Sequence, residues 1–170
     1  MIKVSDKLIV YYSRADENYV SGELRMLSVG NTEVAAGYIK ELTGADMFKI
    51  EQKHPYSKDY NECIAQAQAD LKSDARLELV TMPESIDKYS VIYLCYPNYW
   101  GTVPMAVLTF LDKFSFDGKV IKPLCTHEGS GMGRSESDIK AHCKGANTEK
   151  GLAIHGSSVK QSKSQIEKWI

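Results

Sequence analysis

Three short stretches of the 170-residue chain carry side chains that could hold a ligand. The first is Ser13 with Gly30-Asn31-Thr32, which supplies hydroxyls, an amide and the start of a helical pattern. Free backbone N–H groups and the positive end of a helix dipole make such a start an anion site. No lysine follows, so this is not the GxxxxGK[ST] nucleotide loop. A phosphate held only by amides and hydroxyls suits a monoester on a small cofactor. The second stretch is Pro97-Asn98-Tyr99-Trp100-Gly101, whose two aromatic rings suit a flat ligand. The third runs Thr126-His127-Glu128-Gly129-Ser130-Gly131 and on to Gly133, with glycines that let backbone approach a ligand closely. Each stretch also has a plain explanation: capping by Asn31 or Thr32, a partly buried aromatic cluster, a flexible turn.

The elements between them decide whether the three meet. KLIVYYS, residues 7–13, reads as a strand. Residues 14–30 are polar and irregular. Inside them Tyr19-Val20 and Glu23–Leu27 flank Ser21-Gly22, a two-residue hairpin signal; disorder is the alternative. A helix opens at Gly30-Asn31-Thr32 with Val34, Tyr38, Ile39 and Leu42 on one face, and Gly44 is its expected stop. Ala45–Glu51 is the second strand and residues 59–75 a helix. Leu77–Met82 is a short extra strand or an extended connection. Tyr89–Tyr96 is the third main strand; its unbroken apolar run marks burial on both faces. Residues 103–114 are helical, Lys119–Thr126 is the fourth strand, and residues 134–142 are a helix with Ser135 or Ser137 as caps. Lys150–His155 is the fifth strand, and residues 160–169 form the last helix. Strand and helix alternate five times, which predicts a parallel sheet covered on both faces. The three stretches then open at one edge of it, where α/β sheets bind ligands. One loop for phosphate, one for stacking and one for close backbone contact describe a flavin mononucleotide (FMN) site.

Composition narrows the alternatives. Formal net charge is −1, without the basic excess a nucleic-acid partner requires. No apolar run approaches the ~20 residues of a membrane span. Residues 1–6 are charged and Leu8–Tyr12 is too short for a signal core, so a cytoplasmic protein is expected. Cys63, Cys95, Cys125 and Cys143 show no CxxC spacing, and His54, His142 and His155 show no metal spacing. Tyr96-Pro97 ends the third strand where a receiver domain needs an aspartate. Ser130 lacks the glycines of GxSxG. Cys125 lies too far from Arg134 for a cysteine-phosphatase loop.

LIVYYS, GNTEVAAGYI, YPNYWGTVPMAVLTFLD and CTHEGSGMGRS, in that order, resemble the flavodoxin-like FMN-binding family. The resemblance implies one flavodoxin-like domain over residues 1–170: an α/β three-layer sandwich whose five-stranded parallel sheet has order 2-1-3-4-5. It implies that Ser13, Asn31 and Thr32 hold the phosphate, and that Pro97–Gly101 and Thr126–Gly131 embrace the ring and ribityl chain. His127 is a flavin contact or a solvated histidine. Arg14, beside Ser13 and the first of the inserted residues 14–29, is a phosphate partner or a solvent-facing charge. The flavin does the redox chemistry and the protein tunes it. An apolar aromatic pocket with Trp100 on the ring, and Glu128 nearby, disfavours the negative charge that reduction adds. Gly101 lets a backbone carbonyl turn towards the reduced ring. The expected function is electron shuttling between a reductase and an acceptor protein. The alternative is an NAD(P)H-dependent FMN or quinone reductase, although no second nucleotide motif is present and the near-neutral charge gives little acidic steering.

Overall fold

A computed structural model describes residues 5–170; the reading of residues 1–6 falls partly outside them. The main sheet is built from β1 (Lys7–Tyr11), β4 (Asp46–Lys49), β5 (Val91–Pro97), β6 (Val120–His127), β7 (Asn147–Thr148) and β8 (Leu152–His155). Every pairing is parallel, in the order β4-β1-β5-β6. β7 and β8 both pair with β6 and share the last position. The expected order 2-1-3-4-5 is therefore present, but the fifth place holds two short strands rather than one starting at Lys150. The break falls beside Pro123, which has no N–H to offer a neighbouring strand, and the Gly151 N–H donates to Glu136 Oε2 at 2.8 Å instead of to the ladder.

Helices cover both faces, as the unbroken apolar strands require. α1 (Asn31–Thr43) and α5 (Lys163–Trp169) pack on one, burying Ala35, Ala36, Ile39 and Ile166 against Ile9, Tyr93, Cys95 and Leu124. α2 (Tyr60–Lys72), α3 (Met105–Lys113) and α4 (Ser135–His142) pack on the other, around Ile92, Leu94, Tyr96, Phe110 and Leu111. Residues 77–82 are an extended connection with one antiparallel bridge, Gln52 to Leu79. The last helix begins later than the sequence suggests, because a 3-10 helix, Gly156–Gln161, precedes it.

The inserted segment is a separate antiparallel hairpin, β2 (Asp16–Val20) with β3 (Glu23–Leu27). Its turn residues Ser21 and Gly22 have φ of 54° and 82°, the left-handed pair of a type I′ turn. All four cysteines are free and buried; burial pushes the Cys125 and Cys143 thiols up to about 12. Among the described residues no helix is long and apolar enough to cross a membrane.

Candidate functional site

Strand order reverses between β1 and β5, and a cavity of about 420 Å³ opens at the carboxyl ends there. The hairpin crosses over it. Glu17 accepts from the Tyr60 N–H at 2.8 Å, anchoring the hairpin stem to the start of α2. Arg14 adds bonds from Nε to the Glu17 carbonyl and from a terminal nitrogen to the Lys58 carbonyl. At the tip, the Ser21 N–H donates to Glu128 Oε2 at 3.2 Å. Both ends of the hairpin are therefore fixed across the opening.

The α1 end is rich in donors. Neither Asn31 nor Thr32 caps α1. Instead the Ser13 hydroxyl accepts from the Glu33 N–H at 3.1 Å, leaving the N–H groups of Asn31 and Thr32 without helical partners. Gly30 is obligatory here, because a Cβ would lie 2.2 Å from Ser13 Oγ and 2.4 Å from the Arg14 carbonyl. The buried hydroxyls of Thr32 and Thr126 join at 2.7 Å and tie α1 to the end of β6.

Residues 99–102 form a second tight turn, with Trp100 and Gly101 at φ of 56° and 86° and paired bonds between Tyr99 and Thr102. A bulky residue in the left-handed region is an outlier and marks stored strain. The strained residue lines the cavity: Trp100 is 45% exposed, with its indole N–H on the Ile64 carbonyl of α2. Tyr99 also borders the cavity but buries its hydroxyl. Its ring meets Tyr12 edge-on at 5.7 Å, and its buried hydroxyl has no partner. The Gly101 N–H donates to Asn98 Oδ1, and the Gly101 carbonyl accepts from the Arg134 N–H at 2.8 Å. The Trp100 carbonyl has no partner among the described residues, so it, and not the Gly101 carbonyl, is free to turn.

The third loop is stitched to the second. Asn98 donates to the Gly131 carbonyl from Nδ2 and to the Thr126 carbonyl from its backbone; the Cys125 thiol also donates to the Gly131 carbonyl. Gly133, at φ 54°, passes so close to Gly101 that a Cβ would sit 2.2 Å from its carbonyl oxygen. His127 Nδ1 accepts from the Gly129 N–H, which requires a neutral ring. Burial and the neighbouring His155 hold its pKa below the usual histidine value, against the opposing pull of Glu128.

The cavity gathers Arg14, Asn31, Thr32, Pro97–Gly101, Thr126, His127, Glu128 and Ser130 from the residues singled out by sequence. Ser13, Gly129 and Gly131 are not part of its lining. Sequence reasoning missed Asn18, Tyr19, Tyr60, Cys63, Ile64, Ala67 and Gly156. Tyr19 and Tyr60 stack with centroids 6.2 Å apart; the hairpin signal around Tyr19 was the one available clue. Ser135 and Ser137 are not caps: their hydroxyls donate to the carbonyls of Met132 and Arg134. No acid, histidine and cysteine cluster among the described residues could hold a metal.

The flavodoxin family model matches residues 25–170. No curated protein sequence matches the chain. Among solved structures, the chain is similar to a candidate flavoprotein from Bacteroides uniformis, with TM-score 0.75, 22% identity and coverage of 97% and 99% of the two chains. It is also similar to a Lactobacillus acidophilus flavoprotein in complex with FMN, with TM-score 0.62, 18% identity and coverage of 91% and 96%. A Streptococcus pneumoniae flavodoxin has TM-score 0.53 at 14% identity, covering 96% and 93%. Fold and cavity thus define a flavodoxin-like α/β protein. The chain belongs to the flavodoxin family, and FMN is the cofactor which that membership assigns. The residues present fit it: the cavity lining combines Asn31 and Thr32, whose N–H groups at the start of α1 have no helical partner, with the exposed Trp100 indole.

Proposed function

We propose that the chain is a one-electron carrier, shuttling electrons through FMN between a reductase and an acceptor protein. Ser13 and the N–H groups of Asn31 and Thr32 take the phosphate, with Arg14 at their flank. Trp100 lies against the ring, and Pro97–Gly101 with Thr126–Gly131 hold its polar edge. When bound, the flavin supplies the electron-accepting chemistry; the protein binds it, excludes water and biases the charge it carries. Glu128 and the apolar wall of Trp100, Ile64 and Ala67 disfavour added negative charge. The Trp100 carbonyl offers an acceptor for a proton on the reduced ring.

The observation carrying this reading over a hydride-accepting reductase is the hairpin fixed across the cavity at Tyr60 and Glu128. Hydride transfer needs a nicotinamide laid flat on the ring, whereas single electrons need only an accessible edge. Stopped-flow mixing of the FMN-loaded protein with NADPH tests the choice. No bleaching on the timescale of seconds is expected, with rapid reduction once a flavodoxin reductase is added. Rapid bleaching by NADPH alone would assign the protein to the reductases.

A further inference from the structure

The hairpin leaves one strand edge and part of one face uncovered. β3 pairs only with β2, and four of its five residues are exposed. The two-residue turn makes Val20 and Glu23 the hydrogen-bonded pair that closes the hairpin. Antiparallel ladders alternate, so Arg25 and Leu27 also direct their backbone N–H and C=O groups to β2. Leu24 and Met26 direct theirs outward, where among the described residues nothing bonds to them. Such an edge is a template for another strand. Side chains alternate as well. Glu17, Tyr19, Leu24 and Met26 share one face, with Tyr19 directly across from Leu24. Glu17 and Tyr19 lean on Tyr60 at the start of α2, but the face runs on past them: Leu24 and Met26 are 47% and 68% exposed. Glu23 and Arg25 lie on the opposite face, bonded to each other at 3.3 Å.

We propose that β3 pairs with β3 of a second copy, antiparallel about a two-fold axis at Leu24, joining two hairpins into one four-stranded sheet. Two-fold pairings that bring the outward groups together centre on Leu24, Arg25 or Met26, and charge chooses among them. Centred on Arg25, two guanidinium groups would stand directly opposite, which repels. Centred on Met26, Arg25 would face Leu27 and Glu23 would face Val29, with no charge matched. Centred on Leu24, Glu23 of each copy faces Arg25 of the other. Both of these pairs fall at non-hydrogen-bonded positions, where side chains come closest. With the ion pair already present inside each chain, the four charges alternate in sign around a square. On the other face the exposed Leu24 side chains meet, completing a row of Tyr19, Leu24, Leu24 and Tyr19 across the four strands, with Met26 on the diagonal. The Leu24 N–H of each copy donates to the Leu24 carbonyl of the other. Charge on one face and apolar burial on the other thus require the same register, and this chain itself is the partner that supplies both. The contact is self-complementary and uses up both edges, so it closes at two chains. It does not rest on the flavin reading.

Sedimentation velocity of the full chain over a range of concentrations tests the pairing. Wild type should pass from monomer to dimer as concentration rises. R25E and E23R each set like charges across the axis at both positions, and each should raise the dimer dissociation constant by about tenfold. The double exchange E23R/R25E restores opposite charges in the same register and should dimerise as wild type does. An equimolar mixture of R25E and E23R should form mixed dimers, because acids on one chain then face bases on the other. Mixing repairs neither a misfolded hairpin nor an ion pair within one chain, so recovery in the mixture reports the contact between chains. Any of four results would overturn the proposal: a wild type that stays monomeric at several hundred micromolar, single variants that dimerise as wild type does, a double exchange as weak as the single variants, or a mixture without mixed dimers.

Discussion

Trp100 combines two properties that rarely coincide: a strained left-handed backbone and a large exposed ring. The paired bonds of Tyr99 and Thr102 and the Asn98 contact to the Gly101 N–H hold the strain in place. W100A should weaken FMN binding by about 1–3 kcal/mol, the range for aromatic platforms under flat bases. A fluorescence titration measures it, and unchanged affinity would remove the indole from the ring's surroundings. Residue types carried much of this site in advance. Asn31, Thr32, Trp100, Thr126 and Glu128 were legible because each stood at a loop exit or helix start, where composition has few structural explanations. Tyr60, Cys63, Ile64 and Ala67 were not. They look like one face of an amphipathic helix, and only the docking of Trp100 and Tyr19 on that helix turns the face towards the cavity.

At the scale of elements, the hairpin was readable because Ser-Gly between Tyr19-Val20 and Glu23–Leu27 has a specific turn geometry. The cap of α1 was not, since its hydroxyl comes from Ser13, 20 residues before the N–H it accepts from. Helix packing away from the cavity shows the same dependence on distant partners. Asp112 on α3 accepts from Arg76 at 2.7 Å and meets His142 of α4 at 2.6 Å. Burial pushes the Asp112 carboxyl up, but the hydrogen bonds from Arg76 and His142 outweigh it and hold its pKa below the usual value. The pKa is lower folded than unfolded, so the stabilisation is complete above the ordinary carboxylate range. It disappears as pH falls through the depressed value. The group is 40% exposed, so solvent screening limits the contribution to about 1 kcal/mol or less. D112N should lower the unfolding free energy from urea titration at pH 7 by that amount, and the difference from wild type should vanish in acid, below the depressed pKa. A difference that persists in acid would mean that packing, not charge, joins the two helices.

On the scale of the whole molecule, the sheet order and both helical layers followed from alternating periodicity, because a parallel strand buried on two faces leaves little freedom in sequence. The division of the last position between β7 and β8 did not follow, since it answers to the bond from the Gly151 N–H to Glu136 on α4 and to Pro123 in the neighbouring strand. A ligand that binds only the folded chain stabilises all of it. FMN at a hundredfold excess over its dissociation constant should add about 2.7 kcal/mol, a rise in Tm of roughly 5–10 °C for a chain of this size. Differential scanning fluorimetry with and without FMN reads it; an unmoved Tm would deny binding at this cavity. The hairpin gives that binding a time course as well. A hairpin bonded to Tyr60 on one side and Glu128 on the other narrows the entrance, and FMN capture that waits for those bonds to break is the expected behaviour. Cofactor capture then levels off at the rate of unlatching as FMN concentration rises, whereas an uncovered groove would fill ever faster.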